Sequence, residues 1–205
     1  IWGTRDDGQL VGLTYQREQQ VVAWHRHKFG GTFGSGASAT GFGVCESVAT
    51  IPTDNSEYQV YVIVKRTINS VTRRYVEYIN DFDFDETDDT TFNFLDSQLN
   101  YSGSSTDTIT GLDHLEGQTV SILADGSTHP DKTVSSGSIT LDRNVTKAKV
   151  GLGYTSLLQT MRLDAGSQDG TSQGKTKRIF DISIRLYESI GVEVGPDLSN
   201  MERIP

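Results

Sequence analysis

Four residues in the first quarter of the chain are of types that hold zinc: His25, His27, Cys45 and Glu46. Imidazole, thiolate and carboxylate are the donors of such sites. Two histidines two apart on a strand share a face and could supply two ligands. A glycine-rich stretch separates them from Cys45 and Glu46, and ordinary packing or surface histidines is the plainer reading. A second group is acidic. Asn80–Asp89 reads NDFDFDETDD, crowding Asp81, Asp83, Asp85, Glu86, Asp88 and Asp89 around Phe82 and Phe84. Calcium takes oxygen ligands at alternating positions, but an EF-hand loop has Gly at its sixth place and Glu at its twelfth. Counting from Asp81 gives Glu86 and Phe92, so a solvated acidic connector is expected there.

Nucleophilic catalysis finds weaker support. His114 follows Asp113 and His129 precedes Pro130-Asp131, yet a triad also needs a nucleophile held beside the base. No Gly-x-Ser-x-Gly elbow leads from a strand into a helix. The glycine-rich loop Phe29–Gly43 (FGGTFGSGASATGFG) lacks the GxxxxGK[ST] pattern of a phosphate-binding loop. Paired carboxylates for glycoside hydrolysis are defined by separation in space, which leaves a cell-wall polysaccharide hydrolase as an alternative. Lys175, Lys177 and Arg178, with Arg185, form a modest basic patch in an acidic chain. They are candidates for a subunit contact or a lumen-facing phosphate contact, against the plainer reading of a solvated loop edge. No catalytic, cofactor or metal residue is assigned. The expectation is a protein that is not an enzyme and carries no cofactor.

Composition narrows the class. The chain has 205 residues, 18 Lys and Arg against 27 Asp and Glu, and a formal net charge of −9. That sign disfavours diffuse binding to nucleic acid, because neutralising phosphates needs clustered cations. Cys45 is the only cysteine, which excludes an internal disulfide and the disulfide-stapled scaffolds. No apolar run approaches the length of a membrane-spanning helix, and no membrane insertion is expected. The opening residues IWGTRDDG carry no basic segment followed by an apolar one, so no secretory leader is expected there. A chain that starts on Ile1-Trp2 is expected to be a fragment of a larger protein.

The elements that must position these residues are strands. Alternation is expected in Leu10–Tyr15, Gln20–His27, Glu46–Ile51, Tyr58–Lys65 and Thr72–Ile79, joined by polar turns such as Asn69-Ser70. Gln20–His27 carries apolar residues on both faces, which reads as a central strand. Phe29–Gly43 reads as a flexible loop. Phe92–Tyr101 has Phe92, Leu95 and Leu99 near helical spacing and is expected as a helical turn or bridging loop, with Tyr101–Thr108 a polar spacer. Leu115–Leu141 reads as strand, Asp125-Gly126 turn, loop, short strand, Gly137 turn and strand, with Val120, Ile122 and Ala124 on one face. Asp142–Thr146 is expected as a turn, Lys147–Leu152 and Leu157–Ala165 as strands, and Gly166–Lys177 as a polar loop. Arg178–Glu188 has the clearest alternation of all, Phe180, Ile182, Ile184 and Leu186 against Asp181, Ser183, Arg185 and Tyr187. The fold class is therefore all-β: a partial β-propeller-like antiparallel segment over residues 1–80, an acidic and polar connector over 81–108, and a small β-sandwich or barrel over 109–205.

Several stretches in order resemble the tail tubular protein B, or tail nozzle, family of short-tailed bacteriophages. They are LVGLTYQREQQVVAWHRHKFGG (Leu10–Gly31), CESVATIP (Cys45–Pro52), YVIVKRTINSVTRRYVEYI (Tyr61–Ile79), GLDHLEGQTVSILADGSTHPD (Gly111–Asp131), SGSITLD (Ser136–Asp142), VGLGYTSLLQTMRLD (Val150–Asp164) and DGTSQGKTKRIFDISIRLYES (Asp169–Ser189). The likeness covers most of the chain and is weaker over Phe29–Val44 and Asp81–Thr108. It implies a structural virion protein of the tail, built from an irregular β-propeller and further β domains. Its partners would be other copies of itself in a ring, commonly a hexamer, and a head–tail adaptor protein, with phage DNA passing through the lumen without specific binding. Gly30–Gly43 looks longer than the family usually shows, and no catalytic residue carries over. A carbohydrate- or receptor-binding β module of a tail adaptor is the other alternative, with Tyr154 or Tyr187 as groove aromatics.

Overall fold

A computed structural model of the chain describes residues 1–54, 57–80, 92–161, 174, 176, 178–186 and 191–204. They fall into two compact units, Ile1–Leu157 and Leu158–Pro205. The protein is all-β, built from several small antiparallel sheets, and among the described residues none of them closes into a barrel.

Among the described residues the first unit holds three sheets. β1 (Trp2–Thr4), β2 (Leu10–Gln16) and β3 (Val21–His27) form a meander in that order. β4 (Val44–Pro52), β5 (Tyr58–Ile68) and β6 (Val71–Ile79) form a second. β5 and β6 turn at Asn69 and Ser70, both at positive φ (47° and 63°), the primed geometry whose twist matches the strands it joins. Parity sorts their side chains. Val62, Val64, Arg66 and Ile68 of β5 point inward and are buried, whereas Tyr61 and Ile63 share the outer face with Tyr78 and Val76 of β6.

The third sheet runs in the order β7-β10-β8-β9, from β7 (Asp96–Thr110), β8 (Thr119–Ala124), β9 (Ser127–Thr133) and β10 (Ser138–Leu152). The expected face of Val120, Ile122 and Ala124 is buried, at 4% exposure or less, in a core with Ile109, Leu115, Val134, Ile139, Leu141 and Val150. Asp125 and Gly126 (φ 46° and 77°) make the expected tight turn. The second unit contributes β11 (Glu193–Val194) and β12 (Glu202–Arg203), a two-stranded ribbon.

Several expectations are corrected. Residues 96–108, read as a helical turn and a spacer, belong to β7: their small polar residues suit an exposed edge strand, and Leu99, Tyr101 and Ile109 anchor it to the core. Asp142–Thr146, read as a turn, lies inside β10, where bulges between Thr140 and Val145 and on to Lys147 absorb the extra residues and leave Val145 buried. The stretch after Asp125-Gly126, read as a loop, is β9, whose Pro130 is tolerated because β9 is an edge strand. β3, read as central, is also an edge, with Val22 and Trp24 exposed at 62% and 69%. The glycine loop is not a free tether. Phe29 bridges Gly43, Phe33 bridges Thr40, and Phe29 is buried. No strand covers residues 157–161 or 178–186, and residues 162–165 lie outside those described.

Candidate functional site

The densest polar constellation of the first unit was not among the residues singled out from sequence. It centres on Arg66, whose side chain is fully buried beneath the β4–β6 sheet. Strand parity puts it there, since it continues the inward row of Val62 and Val64. A guanidinium in that position must spend its donors on acceptors. Arg66 Nη1 and Nη2 donate to the two carboxylate oxygens of Glu77 on β6, at 2.5 and 3.1 Å. Arg66 Nε donates to the Gly30 carbonyl at 2.8 Å. The Gly30 amide in turn donates to Asp96 Oδ2 at 2.6 Å, and Ser97 Oγ donates to Glu77 Oε1. The fork geometry of arginine makes the bidentate pair specific, and lysine has no equivalent.

This junction ties the glycine loop and the β4–β6 sheet to the start of β7. Tyr75 reaches across the same seam, its hydroxyl donating to the His114 carbonyl at 3.0 Å, and Gln118 Nε2 donates to the Thr67 carbonyl at 3.3 Å. Gly30 and Gly31 are needed for the approach. A Cβ on Gly30 would lie 2.8 Å from Leu152 Cβ, and one on Gly31, at φ +88°, would lie 3.0 Å from Arg66 Cδ. Burial pushes the Asp96 carboxyl up, partly countered by the Gly30 amide and the Arg66 charge. The donors and acceptors here face one another, which is the chemistry of a structural clasp and leaves no nucleophile aimed at a cleft.

The zinc-type residues are otherwise engaged. His25 Nδ1 and His27 Nε2 are 2.7 Å apart, at hydrogen-bonding distance, with the Trp2 ring packed against both at centroid distances of 5.4 Å. Cys45 is buried, and its thiol donates to the Ser47 carbonyl at 3.5 Å. Glu46 is bridged by Arg74 Nε at 2.6 Å and Lys65 Nζ at 2.8 Å. Hydrogen bonds from Arg74 first, then Lys65, hold its carboxyl down at about 2. Among the described residues no three His, Cys, Asp or Glu side chains gather as a metal site. The acidic run 81–89 lies outside the described residues.

His114 Nε2 meets the Ser97 carbonyl at 3.0 Å, and His129 Nε2 accepts from the Asp142 amide at 3.0 Å, so both act as structural hydrogen-bonding groups. A cleft of about 220 Å³ lies by Tyr101, Leu123, Asp125 and Lys147. Asp125 on its rim accepts from the Thr146 amide and hydroxyl and the Lys147 amide, which holds its carboxyl low. Of the basic patch, Lys175 and Lys177 lie outside the described residues. Arg178 and Arg185 are exposed, on a segment that belongs to no helix or strand. Tyr187 also lies outside, and Tyr154 is 43% exposed.

What the surface does offer is apolar sheet face. Leu13 pairs with Trp24 and Tyr15 with Val22, so Tyr15 and Trp24 share the outer face of the first sheet at 62% and 69% exposure. Val76 and Tyr78 stand out similarly from the second, beside Ile63 and Tyr61. No family profile matches the chain, and no curated protein matches it.

Two predictions follow from the polar groups. Arg66→Met leaves the Gly30 carbonyl without its donor and the Glu77 carboxylate without its countercharge, with Ser97 alone donating to it, and should lower unfolding stability by about 3–5 kcal/mol in urea titration. Arg66→Met combined with Glu77→Leu should recover part of that loss, the signature of a coupled pair. His27 is pulled below its ordinary value by burial and then by His25. A histidine depressed in the fold contributes stability that is present above its unfolded value and lost as pH falls through the folded one. The melting temperature should therefore drop as pH falls below about 6.5, and His27→Gln should flatten that drop.

Proposed function

We propose that the chain is a structural component of a short-tailed bacteriophage tail, part of the nozzle or tail tube wall around the channel for DNA ejection. The observation that carries this reading is the ordered series of stretches from Leu10–Gly31 to Asp169–Ser189 that resembles the tail nozzle family over most of the chain. Physical features support it. Three-stranded antiparallel meanders such as β1–β3 and β4–β6 are compatible with the blades of a propeller-like segment. The outer faces with Trp24, Tyr15, Val76 and Tyr78 suit a protein whose neighbours cover it. A net charge of −9 suits a channel that DNA slides through without being gripped. The partners are other copies in a ring, a hexamer on the family pattern, and the head–tail adaptor. The location is the tail of the virion. Lys175, Lys177, Arg178 and Arg185 take the role of subunit or lumen contacts.

A second reading, a carbohydrate- or receptor-binding β module of a tail adaptor, is favoured by one observation. Trp24 and Tyr15 stand exposed on one sheet face, an arrangement on which sugar rings stack. The two readings separate in one experiment. Electron microscopy of the chain mixed with the head–tail adaptor should show a closed ring seated on the adaptor, and a carbohydrate-binding assay should show no glycan binding by wild type or by Trp24→Ala. A monomer that ignores the adaptor and loses glycan binding on Trp24→Ala would overturn the tail-wall reading.

A further inference from the structure

Residues 178–186, RIFDISIRL, carry the most regular strand alternation in the chain, yet they join no ladder among the described residues. Phe180, Ile182, Ile184 and Leu186 occupy alternate positions and are 91%, 53%, 44% and 44% exposed. Asp181 and Arg185 at intervening positions are exposed, and neither has an ion-pair partner among the described residues. A segment with strand alternation that joins no ladder is an adhesive element, able to pair with another strand wherever one fits.

The segment's own sequence indicates which strand fits. Laid antiparallel against a second copy about Ser183, it sets Phe180 opposite Leu186 and Ile182 opposite Ile184 on one face. On the other face it sets Asp181 opposite Arg185. The two-fold axis makes each of these pairs twice. Cross-strand apolar and opposite-charge pairs are the stabilising units of an antiparallel ribbon. Centring the pair on Ile182 instead sets Asp181 against Ser183 and Arg185 against Ile179, and both charge pairs are lost. Registers displaced by an odd step oppose the apolar face to the charged one. The Ser183-centred register alone satisfies both faces.

We infer that residues 178–186 form a self-pairing strand through which two copies of the chain associate, antiparallel and two-fold, with Asp181 and Arg185 of the two copies in reciprocal ion pairs. This contact is isologous, so it differs from the head-to-tail contacts that close a ring and does not depend on the tail reading. It gives Arg185 a specific partner of stated chemistry, the Asp181 carboxylate of another copy.

Charge exchange tests it on the full 205-residue chain by sedimentation velocity at about 10 µM and about 1 mM protein. The wild-type chain should associate with rising concentration. Asp181→Arg alone puts arginine opposite arginine, and Arg185→Asp alone puts aspartate opposite aspartate, and each should weaken association at least about tenfold. An equimolar mixture of these two variants opposes two arginines to two aspartates across the pair and should recover association as a heterodimer. The double variant Asp181→Arg, Arg185→Asp should recover it with itself. Both residues are exposed and have no ion-pair partner among the described residues, so folding should be intact, as far-ultraviolet circular dichroism checks. A wild-type chain that stays monomeric throughout, single variants that associate like wild type, or a mixture that fails to recover would each overturn the inference.

Discussion

A buried guanidinium is the constraint from which the first unit is organised. Arg66 has no water to turn to, so its donors must be met by the carboxylate of Glu77 and the carbonyl of Gly30. Meeting them fixes three things. The glycine loop must fold down onto β5, which explains why it is bridged at Phe29–Gly43 and Phe33–Thr40 instead of hanging free. Gly30, once there, presents its amide to Asp96. Ser97 next to it binds Glu77 from the other side. The first residues of β7 are thereby attached to the β4–β6 sheet by polar contacts, where an apolar seam would have left register and approach less specified. Such a pair contributes little net stability compared with an apolar replacement, but losing one half of it is costly, and that asymmetry is what makes it specifying.

The strand pattern was legible wherever one face is buried. Val60, Val62 and Val64 of β5 and Val120, Ile122 and Ala124 of β8 announce their inward faces by parity, and the turns at Asn69-Ser70 and Asp125-Gly126 announce themselves by residue type. Arg66 and Glu77 were legible in principle by the same parity, because a charged residue in an inward row must find a partner. Their connection to Gly30 and Asp96 was not, since it spans 36 residues on one side and joins residues 66 apart on the other. β7 was obscured because an edge strand faces water and its Ser, Gly and Thr carry no apolar alternation. Asp142–Thr146 was misread because a bulged strand and a turn share the same polar composition. The reverse error occurred at 178–186, where strong alternation stands without a ladder. A strand pattern states what a segment can pair with, and not that the partner lies in the same chain.

That last distinction bears on function. The described polar clusters are closed upon themselves: Arg66 with Glu77 and Gly30, Glu46 with Lys65 and Arg74, His25 with His27, and Asp125 with the Thr146 and Lys147 amides. What is left open is of another kind, namely apolar sheet faces at Trp24, Tyr15, Val76 and Tyr78 and the alternating segment 178–186, which joins no ladder among the described residues. Open faces and edges are the chemistry of assembly, and the proposed place in a tail wall is the reading in which they find occupants.

The central claim about the structure is that the Arg66 junction makes the glycine loop, β4–β6 and the start of β7 into one cooperative body. Native-state hydrogen exchange measures this directly, because segments that open together exchange with one free energy and one denaturant dependence. The amides of β5, β6 and Gly30 and those at the start of β7 should merge into a single opening unit as denaturant rises. Separate openings, with the β4–β6 sheet exchanging while the Gly30 and Ser97 amides stay protected, would contradict it.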